Sequence, residues 1–196
     1  MIIDPTNTAI KRNRESKPAQ EIVYQCAPDK FSGDMYRKYK GKSILDWGCG
    51  REDDIHYYSN FFNMVSGYEI DPNSFYNKLP RVRFGVIACT YVLCTIPLYE
   101  ARLDCVKQML NYLQPKGRLF VSARTDKEIL RLAKKKNWAP IYDGYITSFA
   151  RKTFQHGVSE DELKRIADDL NLDINIIKTK YMPNTIMAEF TFKKSK

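Results

Sequence analysis

The sequence predicts an α/β fold built on a mostly parallel sheet with an antiparallel hairpin at its carboxyl end. Three observations carry this expectation. Short β-rich apolar runs alternate with stretches whose apolar residues recur at helical spacing, the pattern of parallel strands joined by crossover helices. The first run ends in a glycine-bearing turn, Asp46-Trp47-Gly48-Cys49-Gly50, and helical character follows it directly. The last two strand-like runs are separated only by Met182-Pro183-Asn184, a hairpin turn.

Taken in order, residues 43–46 form a short apolar strand, and residues 53–62 a helix opened by acidic residues that suit a helix N-terminus. Residues 64–70 are a second strand, closed by Asp71-Pro72-Asn73. A long β-rich run follows over 84–95. The helix expected over 98–113 places Ala101, Val106, Met109, Leu110 and Leu113 at helical intervals and ends at Pro115-Lys116-Gly117. Residues 118–123 are the next strand and 126–136 a basic helix. Residues 160–170 form a helix that Ser159 and Glu162 can close as a capping box. Strands over 173–180 and 185–193 complete the sheet. Between Asp71 and Phe84 there is scarcely room for a helix and a further strand, so the sheet is expected to be one strand short.

A chain of 196 residues fits one domain. Residues 1–40 read as an N-terminal cap segment on an α/β core over 41–196. No apolar run is long enough to span a bilayer, and residues 1–14 are polar and basic without an apolar signal region, so the expected setting is cytoplasmic, with no membrane partner. The five cysteines, Cys26, Cys49, Cys89, Cys94 and Cys105, form no C-x-x-C pair and read as reduced thiols. With His56 and His156 the only histidines, a multi-histidine metal site is excluded and no metal is expected. The reading favours a monomer. The net charge of +9, with basic clusters at 11–14, 37–40, 131–136 and 193–196, favours a polyanionic partner, DNA or RNA, through counterion release.

Ligands of such sheets bind beyond the carboxyl ends of the strands, where the strand order reverses, which directs attention to the first turn. Gly48 and Gly50 let a ligand approach the backbone. A dinucleotide site would place another glycine at position 53, which is Asp53, and a triphosphate loop would need Gly-Lys-Ser/Thr. Carboxylates at 52, 53 and 54 would moreover repel a pyrophosphate. S-adenosyl-L-methionine has no phosphate. Asp46 can meet its ammonium, and Trp47, Gly48, Cys49 and Gly50, with Glu52 and Asp54, surround its methionine arm. Glu69, about twenty residues on, can accept both ribose hydroxyls. Asp71 is the alternative, since it shares a face with Glu69 if the strand continues.

The order strand, Asp-x-Gly-x-Gly, helix, strand, acid resembles the class I methyltransferases, whose first motif is a strand followed by Asp-x-Gly-x-Gly-x-Gly. The resemblance extends through residues 84–93 as that family's fourth strand and 113–121 as the turn into its fifth. It implies a Rossmann-like methyltransferase fold. Glu52 stands where that pattern has its third glycine. A narrower likeness, on residues 9–18, Tyr91-Val92-Leu93-Cys94-Thr95-Ile96 and Thr153-Phe154-Gln155, is to the methyltransferases associated with DNA phosphorothioation, and it implies a link to DNA modification.

Methyl transfer needs an in-line approach of the nucleophile, so positioning supplies much of the rate. The end of the run over 84–95 lies beside the first strand, so Cys89, Thr90 and Tyr91 are expected to border the methyl group. Arg12 and Arg14 read as substrate clamps, and His156, in a polar loop before a capped helix, as a candidate base. Absence of Asn/Asp-Pro-Pro-Tyr, and of a cysteine following a proline, argues against methylation of DNA bases. Two functions remain: a methyltransferase acting on a nucleic acid or small anionic acceptor, and a non-catalytic nucleic-acid-binding module with a degenerate cofactor pocket.

Overall fold

Residues 14–26, 39–178 and 181–194 are described by a computed structural model. Helix α1, Lys17–Cys26, begins where the Ser16 hydroxyl accepts from the Ala19 amide at 3.1 Å, a side-chain N-cap, and Pro18 sits in the first turn, where its missing N–H leaves no bond unmade. Ala19, Ile22, Val23 and Cys26 recur at helical spacing and are buried. The sequence reading placed this stretch in an N-terminal cap without assigning it a helix.

Strand β1, Tyr39–Trp47, runs parallel to β2, Phe62–Tyr68, on one side and to β3, Phe84–Thr90, on the other. Between them α2 spans Asp53–Tyr58. It is shorter than the expected 53–62 because Phe62 is already paired with Tyr39 in the sheet. Beyond β3, Tyr91 takes a left-handed φ of 60° and the chain turns into a 3-10 helix over Leu93–Thr95, which splits the run expected as one strand. Helix α3, Tyr99–Leu110, leads to β4, Leu113–Arg124, parallel to β3. The pairing jumps from Phe84–Leu113 to Val86–Arg118, so Pro115-Lys116-Gly117 is an irregularity inside the strand and not a stop ahead of it.

Helix α4, Asp126–Lys136, matches the sequence expectation, with Thr125 accepting from the Glu128 amide at its start. Helix α5, Glu160–Asp169, forms half of the expected capping box. Ser159 accepts from the Glu162 amide at 3.1 Å, but the Glu162 carboxylate turns to Arg102 and His156. Between these helices lies a three-stranded antiparallel sheet in a stretch to which the sequence pattern assigns no strand: β5, Ala139–Ile141, β6, Gly144–Ser148, and β7, Thr153–Gln155. Strands β8, Leu172–Ile176, and β9, Thr185–Phe192, form the hairpin, β9 pairing antiparallel to β4.

The main sheet has the order β2-β1-β3-β4-β9-β8, parallel through β4 and antiparallel beyond it, as the sequence predicts. Residues 69–83 contain neither helix nor strand, leaving β2 at the edge and the sheet short by a strand. The strand order reverses around β1, which puts the glycine turn at the switch point. One core packs Leu45, Ile87, Leu119 and Val121 against Val106 and Met109 of α3 and Leu163 and Ile166 of α5; the other packs Ile44, Val86, Ala88 and Phe120 against α1 and Tyr58 of α2. Among the described residues no helix is long and apolar enough to cross a membrane.

Candidate functional site

The turn after β1 is held by one acceptor. The Gly48 and Cys49 amides both donate to the Tyr68 carbonyl at the end of β2, at 2.7 and 3.1 Å. The backbone is left-handed at every second residue: Gly48 at φ 76°, Gly50 at 55° and Glu52 at 69°. A methyl group on Gly48 would run into the Val92 side chain, so only glycine fits there. Glu52 accepts the same backbone region with a Cβ, and heads α2 without a side-chain cap.

Glu69 is the first residue past β2. One carboxylate oxygen accepts from the Gly50 amide at 2.7 Å and the other from Ile70 at 2.8 Å, so the side chain lies against the glycine turn. Asp71 does not share its face, because β2 has ended. Its carboxylate accepts from the Asn73 backbone and side-chain amides at 2.9 and 3.1 Å, an Asx turn. Of the two ribose candidates, the geometry brings Glu69 alone to the turn.

Asp46 is buried at the carboxyl end of β1. Tyr58 is pushed far above the ordinary tyrosine range, by burial first and then by the carboxylates of Asp46 and Asp54. The Cys49 thiol is likewise raised, by burial and then by Asp46, Glu69 and Glu52. Negative charge thus converges on the turn, which suits a cationic ligand and opposes a phosphate.

Other expected contacts are corrected. Asp54 does not face the turn: its two oxygens accept from the Ser16 amide and hydroxyl at 2.6 and 2.7 Å, tying the start of α1 to α2. Trp47 points into the α3 and α5 side of the core, its ring 4.6 Å from Tyr68, so only its backbone borders the turn. Cys89 is fully buried on that same side, away from the α1 face. Arg12 lies outside the described residues.

His156 is no loop residue free to act. Its Nδ1 meets the Asp143 carbonyl at 2.8 Å and its Nε2 the Glu162 carboxylate at 2.7 Å. Arg102, only 2% exposed, donates to the same Glu162, to Asp143 and to the Ile96 carbonyl. This cluster joins α3, the small sheet and α5.

Beside the turn opens a cleft of about 570 Å³, lined by Arg14 to Lys17 at the start of α1, by Tyr91, and by Tyr181 to Thr185 ahead of β9. The Tyr91 hydroxyl and Thr185 Oγ1 share a hydrogen bond of 2.9 Å, and Lys17 donates to the Tyr181 carbonyl at 3.0 Å. Glu15 turns away to Gln20. The structure therefore places Arg14, Lys17 and Tyr91 in one cleft, together with Ser16, Tyr181 and Thr185, which the sequence pattern does not single out. Ser16 ahead of Pro18 carried a usable N-cap signal; the hairpin residues carried none. Among the described residues no group of three His, Cys, Asp or Glu side chains is placed to hold a metal.

The family model described as methyltransferase domain matches residues 11–175. No curated protein matches the chain in sequence. Among solved structures, the fold is similar to an S-adenosylmethionine-dependent methyltransferase from Clostridium acetobutylicum ATCC 824, at 10% identity over 93% of this chain and 94% of that one, with a TM-score of 0.66. It is similar also to an amino pentose methyltransferase from Micromonospora echinaspora, solved with S-adenosylmethionine, at 10% identity over 88% and 89% and a TM-score of 0.58. The N-methyltransferase NodS from Bradyrhizobium japonicum WM9, solved with S-adenosyl-l-homocysteine, matches at 11% identity over 78% and 79%, with a TM-score of 0.52. The family match spans most of the chain and contains the glycine turn, Glu69 and Tyr91, so the chain belongs to the methyltransferase domain family and is an S-adenosylmethionine-dependent methyltransferase.

Proposed function

We propose that the protein methylates a nucleic acid or a small anionic acceptor bound in the cleft between the start of α1 and the β8–β9 hairpin. The observation that carries this is a change of polarity: the carboxylates of Asp46 and Glu69 gather at the turn, whereas the cleft beside it presents Arg14 and Lys17. A cationic cofactor and an anionic acceptor are thereby sorted into adjacent sites.

The residues present fit the cofactor, because the left-handed backbone at Gly48 and Gly50 opens the turn and Glu69 retains lone pairs beside it. When bound, S-adenosylmethionine supplies an electrophilic methyl group. Asp46 holds the ammonium, the backbone from Trp47 to Gly50 lies along the methionine arm, and Glu69 takes the ribose hydroxyls. Thr90 and Tyr91 border the methyl position at the end of β3, Tyr91 being fixed by Thr185. Arg14, with Arg12, orients the acceptor's negative charge. The His156 ring nitrogens are both engaged, which assigns it to the charge cluster.

The nucleic-acid part of this reading is supported by the charge of +9 and by exposed Lys127, Lys134, Lys135 and Lys136 on α4. Arg131 contributes less, since Glu128 pairs with it at 2.8 Å. The narrower likeness to phosphorothioation-associated methyltransferases belongs to the same proposal. Its support is that the Tyr91 to Ile96 stretch touches the chain just after β7, where the His156 amide donates to the Cys94 carbonyl.

Calorimetry with S-adenosylmethionine, followed by transfer of its tritiated methyl group to single- and double-stranded DNA, RNA and small phosphorylated amines, tests the reading. Micromolar binding with label in one acceptor class is expected. Binding without label in any class refutes the acceptor assignment, and no binding heat favours the non-catalytic module.

A further inference from the structure

Residues 129–159 hold a single carboxylate, Asp143, against Arg131, Lys134, Lys135, Lys136, Arg151 and Lys152. The stretch comprises most of α4 and the whole of the small sheet. It buries its apolar residues apart from the main sheet: Ile129 and Ala133 of α4 and Ile146 and Phe154 of the small sheet are buried, yet none of the four belongs to either core described above. Nor does any residue of the stretch line the cleft.

Strand pairing gives the small sheet two unlike ends. The β5–β6 turn and the end of β7 share one of them, because Ile141 pairs with Gly144 and Tyr145 with Gln155. That end is anchored: Arg102 donates to Asp143, and the His156 amide donates to the Cys94 carbonyl. At the other end lie the start of β5, where Ala139 faces Ile146, and the β6–β7 turn over 149–152. Lys134, Lys135 and Lys136 close α4 just before β5, so they arrive at this second end beside Arg151 and Lys152.

These cations are all exposed, and among the described residues Lys134, Lys135, Lys136 and Lys152 make no ion pair. Lysines in the last turn of a helix also offset its dipole, but Lys152 stands in a turn between strands, where no helix end calls for a cation. Aromatic surface adjoins the charge. Phe149 is 62% exposed in the same turn, and Lys136 Nζ stands 5.6 Å from the ring centroid of half-buried Trp138. Side chains alternate along a strand, so Trp138 shares the outer face of Pro140 and its partner Tyr145, opposite to buried Ile146 and Phe154. Thr147 and Thr153, joined by a hydrogen bond of 2.7 Å, add hydroxyls to that face.

Exposed cations with no carboxylate among them attract a polyanion, and rings set between them offer stacking to bases that are not already stacked. A duplex keeps the faces of its bases to itself. The hydroxyls of the outer face suit hydrogen-bonding bases better than acyl chains. We infer that the second end of the small sheet, with the last turn of α4, is a docking surface for single-stranded nucleic acid, separate from the cleft. The inference rests on the nucleic-acid part of the reading above and extends it. The lysines neutralise phosphates while Trp138 and Phe149 stack on bases, a mode that tolerates any sequence because every base has a π face.

Trp138 makes the test direct, because Trp47, the other tryptophan, is only 4% exposed. Oligo(dT) and oligo(U) should quench the emission of the wild type and leave that of Trp138→Phe unchanged. Anisotropy of the labelled strands gives affinity and its salt dependence. Replacing Lys134, Lys135 and Lys136 together by alanine should weaken binding by about tenfold or more and lower the salt slope by about 1–2, since each phosphate contact on a single strand contributes about 0.7. The melting temperature of this variant should match the wild type, because all three positions are exposed. Equal binding in the lysine variant, binding without quenching, or a duplex that binds as tightly as the single strand overturns the inference. If that variant binds normally while Arg14→Ala does not, the surface falls and the nucleic-acid reading stands. A wild type that binds neither strand refutes both, and capture by vesicles of mixed phosphatidylserine and phosphatidylcholine in their place assigns the surface to a membrane.

Discussion

Replacing Glu52 by glycine separates two effects that the turn combines. Glu52 sits at φ 69° and ψ 8°, a conformation that costs a residue with a Cβ about 1–2 kcal/mol. Glycine removes that cost but gives the unfolded chain more freedom, worth about 0.5–1 kcal/mol in the opposite direction. No helix bond is lost, since the Glu52 amide donates to the Cys49 carbonyl and its carbonyl accepts from His56, with no side-chain cap. The net gain of about 0.5–1 kcal/mol raises the melting temperature by about 1–4 °C for a domain of this size. The second effect is electrostatic: removing a carboxylate from beside the methionine carboxylate should tighten cofactor binding by about two- to fivefold, the range for a partly exposed charge pair. Thermal unfolding reads the first and calorimetry with S-adenosylmethionine the second. Glu52→Ala keeps the backbone strain and removes the charge, so it should tighten binding without raising the melting temperature. A Glu52→Gly protein that melts lower than the wild type, or binds more weakly, refutes the argument, the latter showing that Glu52 holds the ammonium.

Asp46→Ala and Glu69→Ala should each weaken cofactor binding by about 1–3 kcal/mol in calorimetry, Glu69→Ala also releasing the Gly50 amide; full affinity in Asp46→Ala removes the basis of the pocket. The His156 cluster should make stability depend on pH. Burial opposes the charged ring, but the Glu162 hydrogen bond and the Asp143 carbonyl outweigh it and hold the His156 pKa above its ordinary 6.5. Its contribution is therefore complete below about pH 6.5 and lost as pH rises through the folded value. Asp143, resisted by burial but held down by Arg102, contributes above about pH 3.8 and fails as pH falls through its folded value. Denaturant titrations from pH 4 to 9 should show the alkaline loss in the wild type and not in His156→Gln. Replacing Arg12 and Arg14 by alanine should lower both affinity for oligonucleotides and its salt slope, more than replacing Lys193, Lys194 and Lys196; binding that is absent or independent of salt refutes the polyanion reading.

The central strands, α4 and the hairpin are legible in the sequence because each is a run with one clear period. The turn is legible because Asp-x-Gly-x-Gly carries its own chemistry, and the missing strand because the distance from Asp71 to Phe84 is a matter of counting. What could not be read arises from contacts distant in sequence. Asp54 looks like part of an acidic turn until Ser16, 38 residues away, takes both its oxygens. Glu162 completes a capping box in pattern but is drawn off by Arg102 and His156, which lie 60 and 6 residues away. The strands β5 and β7 are three residues each, shorter than any periodicity can register.

The short sheet also explains how Glu69 is held. A further strand beside β2 would fix the end of β2 by pairing; here residues 69–83 do this with single bonds and packing. The Glu69 amide donates to the Tyr76 carbonyl at 2.9 Å, closing the segment back onto the strand end. Gly67 lies so close to Tyr76, Ile55 and Cys49 that a Cβ there would meet all three, which locks the segment against the turn and α2. The Glu69 carboxylate then takes the Gly50 and Ile70 amides. The residue proposed to hold the ribose is thus oriented by the glycine turn itself, so the two halves of the cofactor site are one hydrogen-bonded unit, and a change at Gly67 should disturb cofactor binding as surely as one at Glu69.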